Sequence, residues 1–370
     1  MVIESRRRSD RILLIITLTL VALGVAMVYS ASSIVAQDKF GDGYFFLKRQ
    51  SLYASLGLIL MLLVARLRYL WWKRLALPLV IVSLLLLAMV LVPGLGVEVS
   101  GARRWLKFAG FGLQPSELAK LALVVYLARL LVKKGDQIKG FIWGYLPILL
   151  FGGTFAGLIL LEPDFGSAAM VILLAFVMLF VGGARLTHLA MTGLMALPAT
   201  YLIIQTAPYR MERIMAYLDP WKDPQGVGFQ MVQSYLAFGS GGITGLGLGN
   251  GRQKLFYLPE AHTDFIFSVI GEELGLIGVI AVVAAFAVII IRGLRIAWNS
   301  SDAFGYYLAL GLTSLIGFQA VINMAVVTGI LPTKGLTLPF ISFGGTSLIL
   351  NMVSVGILLS ISSRRRLGQR

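Results

Sequence analysis

The first long apolar run of the chain reads ILLIITLTLVALGVAMV, residues 12–28, and it contains no charged residue. The basic run Arg6–Arg8 precedes it. The apolar run is longer than that of a cleaved signal peptide, which has about 7–15 residues. An α-helix of about 20 apolar residues crosses the hydrocarbon core of a bilayer. We therefore interpret this run, extended to Tyr29, as a retained first membrane span.

Nine further apolar runs follow along the chain. Hydrophobic residues make up 58% of the 370 residues and charged residues only 13%. A soluble domain does not hide so much apolar surface, whereas lipid tails solvate it. The sequence therefore predicts an all-α polytopic membrane protein, a single domain of residues 1–370 with about ten transmembrane helices. The predicted spans are 12–29, 45–65, 75–92, 118–132, 143–161, 168–181, 188–205, 265–291, 306–330 and 340–361.

The basic residues indicate the orientation of these spans. The net charge of +15 would suggest nucleic acid in a soluble protein, but here the cations sit at the ends of apolar runs, so no nucleic-acid partner is expected. More than half of the 32 Lys and Arg residues fall on alternate connections, which predicts that both termini lie in the cytoplasm. Cysteine is absent, and the two histidines are far apart, which argues against thiolate or His-rich metal sites.

The acidic residues crowd on the opposite, outer side of the membrane. Of the 17 Asp and Glu residues, all but Glu4, Asp10, Asp136 and Asp302 fall there or in the outer parts of spans. Acidic residues contribute little to topology, so this asymmetry suggests that the outer face handles charge. The longest outer connection, residues 206–263 between the seventh and eighth spans, is rich in aromatic residues, which predicts a packed structure.

Two carboxylates precede the fourth and sixth spans. Glu117 and Lys120 are three residues apart, share one helix face and can form an ion pair. An intramembrane Lys costs about 2.5–3.5 kcal/mol, so this pair is either a structural ion pair or part of a polar cavity. Asp164 suits the N-cap of the sixth span. Capping does not account for its neighbour Glu162.

The long outer loop carries cations and a glycine tract. Arg210, Arg213, Lys222, Arg252 and Lys254 oppose the positive-inside bias, which suggests an anionic ligand such as a phosphate. The tract GSGGITGLGLG, residues 239–249, lacks the Gly-Lys-Ser/Thr ending of a nucleotide loop. We interpret it as backbone that bends sharply or approaches another group closely.

The segment after this loop leads into the eighth span. Asp264 is predicted at the helix N-terminus, where the helix dipole keeps it ionised. An ionised carboxylate there suits a general base for a hydroxyl nucleophile, and it suits an N-cap equally well. His262 is a weaker candidate for a direct role. Glu272 and Glu273 lie two turns deeper, so at least one should face the bundle interior.

Several separated motifs together resemble the SEDS family (shape, elongation, division and sporulation). The resemblance covers essentially the whole chain, and the run Pro332–Pro339 is most similar to the members that act in cell division. Three positions depart from the usual pattern: Glu162 stands where Gln is common, Phe343 where Tyr is common and Thr346 where Ser is common. The motifs are Gly101–Trp105, Gln114–Lys120, Pro163–Gly166, His262–Phe267, Gly271–Gly275 and Leu331–Pro339.

The resemblance implies a peptidoglycan glycosyltransferase that polymerises lipid II on the outer face of the bacterial cytoplasmic membrane during septal wall synthesis. It also implies two kinds of partner, a class B penicillin-binding protein and other membrane proteins of the divisome. By motif, Asp264 corresponds to the proposed catalytic residue, and Arg103, Glu117, Lys120 and Asp164 to a polar cavity around it.

On this basis we expect Asp264 to deprotonate the 4-hydroxyl of the acceptor N-acetylglucosamine. Arg103, Arg210 and Arg213, or a divalent cation such as Mg²⁺ or Mn²⁺, would then stabilise the pyrophosphate that leaves. His262 is placed with the substrate-binding group. Two alternatives are a lipid II flippase without chemistry, which the buried Glu117 and Lys120 also suit, and a scaffold that only activates the penicillin-binding protein.

Overall fold

The computed structural model describes residues 5–6, 9–99, 102–108, 111–205, 208–251 and 261–365. This part of the chain forms twelve α-helices and confirms the all-α polytopic fold. Ten of the helices match the ten predicted spans, and the other two lie in the long loop. The helices are α1 (Arg11–Phe40), α2 (Phe45–Arg66), α3 (Leu70–Leu91), α4 (Pro115–Lys134), α5 (Leu146–Leu161), α6 (Phe165–Val181), α7 (Leu186–Gln205), α8 (Pro208–Leu218), α9 (Phe229–Gly241), α10 (Ile266–Trp298), α11 (Ala303–Val327) and α12 (Gly345–Ser362).

Short elements complete the chain. A π-helical turn, Phe141–Tyr145, runs into α5, and 3₁₀ turns occupy Gly135–Lys139 and Pro220–Lys222. Eight of the helical segments are long and apolar enough to cross a membrane. Of the other two predicted spans, α6 is shorter, with 17 residues, and α4 carries charged side chains. The strands are β1 (Ser5–Arg6), β2 (Gly96–Val99), β3 (Ala102–Phe108), β4 (Phe111–Leu113) and β5 (Arg364–Arg365).

The first and the last described strands lie at the same end of the bundle. Strand β1 pairs antiparallel with β5, which joins Ser5 to Arg365. An even number of spans places the termini on one side, so the pairing agrees with the predicted even count. The opposite end carries the β2–β4 sheet, the turn 162–164, the segment 261–265 and the loop 328–344, and we call it the site end.

The centre of the bundle is formed by α4, α11 and α12. Within the most apolar window of α12, 83% of the residues are buried, and the value is 67% for α11 and 0% for α7. The inner helices carry polar side chains such as Gln319, Asn323 and Asn351, all 3% exposed or less. Exposing these polar groups to lipid would be energetically costly. The helix α11, which carries Gln319 and Asn323, is therefore buried in the bundle, whereas α7 is exposed at its surface.

The site end carries a three-stranded antiparallel sheet, β2-β3-β4, that the sequence analysis did not predict. Strand β3 contacts α3 and α4, and β4 contacts α12. Thr346, at the start of α12, joins the sheet to α4, since its Oγ1 donates to the Gly112 carbonyl (3.0 Å) and accepts from the Gln114 amide (3.2 Å). The sheet is therefore fixed over the central helices.

The long loop is packed, as its aromatic residues predict. Helix α9 contacts α10, and the rings of Phe238 and Phe267 lie 5.9 Å apart. The Tyr217 hydroxyl donates to the carbonyl of Ile330 at 3.0 Å, which ties α8 to the end of α11. Two cations predicted in this loop, Arg252 and Lys254, lie outside the described residues.

The glycine tract fits into a break in α10. The helix is interrupted at Gly275, whose φ of 65° and ψ of −164° are non-helical. The amide of Leu246 donates to the Glu272 carbonyl at 3.0 Å, and the amide of Leu276 donates to the Gly242 carbonyl at 3.0 Å. A Cβ on Gly245 would lie 2.2 Å from the Glu273 carbonyl oxygen. The predicted bend is confirmed, and the group that the tract approaches is the backbone of α10.

Candidate active site

Three segments of the site end meet around Asp264. The Ser342 hydroxyl donates to the Thr263 carbonyl at 2.6 Å, and the Phe343 amide donates to the His262 carbonyl at 2.9 Å. From α11, the side-chain amide of Asn323 donates to the Asp264 carbonyl at 2.9 Å and to a loop carbonyl at 2.6 Å. The backbone at and beside Asp264 is thereby held by both α11 and the loop 328–344.

The Asp264 side chain does not occupy the N-cap of α10. The N-cap residue is Phe265, which makes no side-chain capping hydrogen bond, so the interpretation of Asp264 as the N-cap residue is wrong. Asp264 is half-buried and lies one residue before the cap. A Cβ on Gly335 would lie 3.2 Å from Asp264 Oδ2, so the carboxylate lies directly against this glycine of the loop.

The turn between α5 and α6 carries Asp164, 4% exposed, in the N-cap position that the sequence predicts. Its Oδ1 accepts from the Ser167 amide at 2.9 Å. Arg104 of β3 holds the same turn, because its Nε donates to the Glu162 carbonyl at 3.3 Å and its Nη2 donates to the Pro163 carbonyl. One guanidinium therefore satisfies two carbonyls of a three-residue turn.

Glu162 is fully buried in this turn, outside the span Phe141–Leu161. Neither of its carboxyl oxygens has a hydrogen-bond partner among the described residues. Burial, together with the charge of Asp164, raises the pKa of Glu162 to about 8, and the charge of Arg104 opposes this shift. The raised pKa favours the neutral acid at pH 7.

Lys334 belongs to the loop 328–344, which contacts both the start of α6 beside Asp164 and the Asp264 carboxylate. Its ammonium stands over the Phe165 ring, 5.2 Å from the centroid, and burial lowers its pKa from the ordinary value. Its neighbour Gly335 lies against Asp264, and Phe165 follows Asp164 directly. The loop thus brings a cation and the Asp264 carboxylate to one face of the site end.

Glu117 and Lys120 form the predicted ion pair at the start of α4. Lys120 Nζ lies 2.8 Å from Glu117 Oε1, and the residues are 0% and 7% exposed. A fully buried ammonium requires such a partner, because its desolvation is otherwise not compensated. α4 contacts α6, α11 and α12, so the pair lies among the helices that lead into the site.

The other predicted site residues lie further apart. Arg103 is exposed and pairs with Glu98 at 3.5 Å. Arg210 donates to the Ile203 carbonyl at 2.6 Å, and Arg213 is exposed on the same helix, α8, whose helical neighbours are α7 and the 3₁₀ turn. Their roles in binding stay predictions.

His262 packs among aromatic rings near the start of α2. Its ring lies 4.4 Å from that of Phe46 and 5.7 Å from that of Phe343. His262 is two residues before Asp264 in the sequence. Its ring belongs to an aromatic cluster with Phe46 and Phe343. A role in substrate binding stays a prediction for this residue too.

Deeper in the bundle, Glu272 and Glu273 are 1% and 0% exposed, which confirms that they face the interior. Both carboxyl oxygens of Glu273 accept from the Ser30 hydroxyl, at 2.6 and 2.7 Å, and one accepts from the Gly249 amide at 3.1 Å. This carboxylate joins α1 and the glycine tract to α10, so its observed contacts are structural.

Two functional candidates were missed by the sequence analysis, Arg104 and Lys334. Arg104 stands beside the chosen Arg103, and only the alternation of strand β3 separates the faces on which they lie. Lys334 belongs to a quoted motif, but its neighbours come from α6, far away in the sequence.

Among the described residues, no group of three or more His, Cys, Asp or Glu side chains could hold a metal ion.

Comparison with known proteins gives one consistent result. A family model described as "Cell cycle protein", for FtsW, RodA and SpoVE, matches residues 10–367. The chain is 49% identical over 362 residues to a probable peptidoglycan glycosyltransferase FtsW of Geobacter sulfurreducens, covering 98% of this chain and 97% of that protein.

Two solved structures share the fold over nearly the full length. A chain from a study of how a peptidoglycan synthase complex coordinates polymerization and crosslinking is 35% identical, with a TM-score of 0.78 and coverage of 96% and 97%. The rod shape determining protein RodA of Thermus thermophilus is 32% identical, with a TM-score of 0.69 and coverage of 96% of each chain. The chain belongs to the FtsW/RodA/SpoVE family.

Proposed function

We propose that this protein is a peptidoglycan glycosyltransferase that polymerises lipid II, with Asp264 as its general base. The observation that carries the assignment is the placement of the Asp264 carboxylate, half-buried at the site end, uncommitted to the N-cap of α10 and lying against Gly335. The chain is 49% identical, over nearly its whole length, to a probable peptidoglycan glycosyltransferase, and this identity supports the reaction class.

In the proposed reaction, Asp264 takes the proton of the 4-hydroxyl of an acceptor N-acetylglucosamine. The oxygen forms a bond to the anomeric carbon of the donor N-acetylmuramic acid, and the bond from that carbon to the pyrophosphate oxygen breaks. Undecaprenyl pyrophosphate leaves with the electron pair. A direct displacement inverts the anomeric carbon and gives a β-1,4 link.

The negative charge on the leaving pyrophosphate requires cations. Lys334 is one candidate, since the loop that holds Asp264 also holds this ammonium over Phe165. A partly desolvated cation stabilises developing charge more strongly than one in water. Arg103, Arg210 and Arg213 are further candidates from their charge, and a substrate that spans the site end would have to reach them.

A dependence on Mg²⁺ or Mn²⁺ is a separate proposal. The described residues do not form a cage for a resident ion, so the steps above assign it no part. Polymer formation is measured after chelation and again after each ion is added back. Restoration by one ion at low concentration would support a divalent cation in the reaction.

The variant Asp264→Asn tests the assignment. General-base help is typically worth about 10²–10⁴-fold, so we expect polymerisation of purified lipid II, with the partner protein present, to fall by that factor. Asp42→Asn is the matched control, because Asp42 is an acid of the α1–α2 turn that pairs with exposed Lys48 at 2.8 Å. Full activity of Asp264→Asn would rule out Asp264 as the base.

The crosslinking partner and the cellular site are proposed from the same relationship. We expect a class B penicillin-binding protein to bind the chain, because one related structure is described as coordinating polymerization with crosslinking. Both termini would lie in the cytoplasm and the complex would act at the division septum with other divisome proteins. Co-purification with the penicillin-binding protein and localisation of a fluorescent fusion test these two statements.

A second candidate function is a lipid II flippase without chemistry. The observation in its favour is the buried Glu117–Lys120 pair, which would suit a polar path for a head group. A flippase would move labelled lipid II across a liposome without lengthening it, and Asp264→Asn would not affect the movement. Chain growth that depends on Asp264 favours the glycosyltransferase.

A further inference from the structure

Glu162 is a buried acid for which the reaction above has no use. The side chain is 0% exposed, and neither carboxyl oxygen has a hydrogen-bond partner among the described residues. A buried polar group without a partner is uncommon in folded proteins and requires an explanation. A charged carboxylate in this place would be less stable than a neutral acid, because no hydrogen bond among the described residues compensates its desolvation.

The surroundings of Glu162 favour the neutral acid. In the same turn, Asp164 adds a negative charge, and on β3 Arg104 supplies a positive one that is already bonded to two backbone carbonyls. From α4, which packs against α5 and α6, come Glu117 and Lys120, which pair with each other. The remaining helical neighbours of α5 and α6 are α3, α7 and α11, and none of them carries a charged side chain at this end.

The turn that contains Glu162 leads into α6, and the start of α6 packs against the loop 328–344. Lys334 lies over Phe165, and a Cβ on Gly166 would lie 3.3 Å from Leu336 Cγ, so the start of α6 packs against this loop. Gly335 lies between these two loop residues and against Asp264. A charge that displaced the turn would therefore displace the wall of the Asp264 site.

We propose that Glu162 is a positioning residue whose proton keeps the turn 162–165 and the Lys334 loop in the arrangement that polymerises, so that its ionisation at alkaline pH stops the reaction. The proposal rests on the proposed function. Glu162 acts through the turn and the loop and touches neither sugar. Below the pH at which it ionises, the uncharged side chain tolerates burial without a hydrogen-bond partner. Above that pH, its charge repels Asp164 and must move towards water.

The direction of the pH effect follows from the raised pKa. The unfolded chain releases this proton near pH 4.5 and the folded chain near pH 8. The folded state is therefore stabilised less and less as the pH rises between these values, and the charge itself appears in the folded state only above about pH 8. Glu162→Gln removes both effects, because the amide has a similar shape and does not titrate.

The test is the pH profile of polymerisation by the complex with its partner, using purified lipid II. We expect wild-type activity to fall on the alkaline side with a midpoint near pH 8, and Glu162→Gln to keep most of its activity there. Near pH 7 the two should agree within about twofold. Asp42→Asn is the control for lost charge: the Lys48 side chain lowers the pKa of Asp42, so its removal should leave the alkaline fall unchanged.

A second variant and a second readout make the outcome decisive. Glu162→Met is apolar and does not titrate, so it should flatten the profile as Glu162→Gln does. The infrared band of a protonated carboxyl, taken as the difference between wild type and Glu162→Gln, should disappear with a midpoint near pH 8. The same alkaline fall in both variants, or no such band at pH 7, would overturn the proposal. An absence of polymer from wild type at every pH would instead contradict the proposed function.

Discussion

Two helices of the site end, α6 and α10, begin beside an aspartate, and the two aspartates lie in different surroundings. Asp164 is 4% exposed, and its carboxylate accepts from the Ser167 amide of its own helix. Asp264 stands one residue before the N-cap of α10, is half-buried and lies against Gly335 of another segment. The Asp164 carboxylate caps the N-terminus of α6, whereas the Asp264 carboxylate lies against the loop 328–344.

The difference shows that one residue of register at a helix start decides what a carboxylate can do. In the N-cap position an aspartate satisfies helix amides and its charge is used locally. One position earlier, the Asp264 side chain lies against Gly335 of the loop instead. It can then act on a substrate, as the proposed general base does.

The largest structural effect is expected from Arg104, which holds the Asp164 turn. Arg104→Met removes the donor to two carbonyls of that turn, and leaving buried acceptors unsatisfied costs about 1–3 kcal/mol. Arg103→Met is the matched control, since its ion pair with Glu98 is exposed and worth about 0–1 kcal/mol. Thermal unfolding of both variants in detergent measures the difference in stability. An equal loss of stability in the two variants would contradict the role of Arg104 in holding the turn 162–164.

A smaller effect is expected from crowding Asp264. Gly335→Ala places a methyl group 3.2 Å from Asp264 Oδ2, closer than ordinary contact, on an exposed residue outside the core. The carboxylate or the loop must shift by a few tenths of an ångström. We expect a loss of about tenfold in kcat, which corresponds to about 1.4 kcal/mol, with unchanged unfolding temperature.

The control for this crowding is Gly344→Ala, on the same loop. Its added Cβ would meet Thr337 Cγ2 at 3.4 Å, which is ordinary contact, and no carboxylate oxygen of the described residues would lie within 4 Å of it. Polymerisation by the two variants is compared at saturating lipid II. A similar kcat for both would show that the distance between Gly335 and Asp264 does not matter to the reaction.

The spans could be predicted from the sequence because their length and flanking charges follow from the bilayer. The ends of the helices were less accurate. Helix α1 runs to Phe40, well beyond the predicted end at Tyr29, because no helix breaker intervenes before Gly41, which caps it in the left-handed conformation at φ 69°. Apolar character marks the membrane-crossing part, and a helix can continue past it.

The candidate site could be predicted only where one segment decides it. Asp164 as a cap and the Glu117–Lys120 pair depend on spacing within one helix, and both are confirmed. The N-cap of α10 falls on Phe265 because the turn 261–265 is fixed by hydrogen bonds from Asn323 and Ser342, which are distant in sequence. The contact of Lys334 with Phe165 depends on the same kind of long-range packing.

The smallest effect separates the two aspartates themselves. Asp164→Ala removes an N-cap and should lower the free energy of unfolding by about 1 kcal/mol. Asp164→Asn should restore most of it, since asparagine accepts the same backbone hydrogen bond. Asp264 is not the N-cap residue of α10, so Asp264→Ala should lower the unfolding temperature in detergent less than Asp164→Ala does, while polymerisation is lost. An equal loss of stability in Asp164→Ala and Asp264→Ala would mean that both carboxylates support helix starts, and the distinction between them would fail.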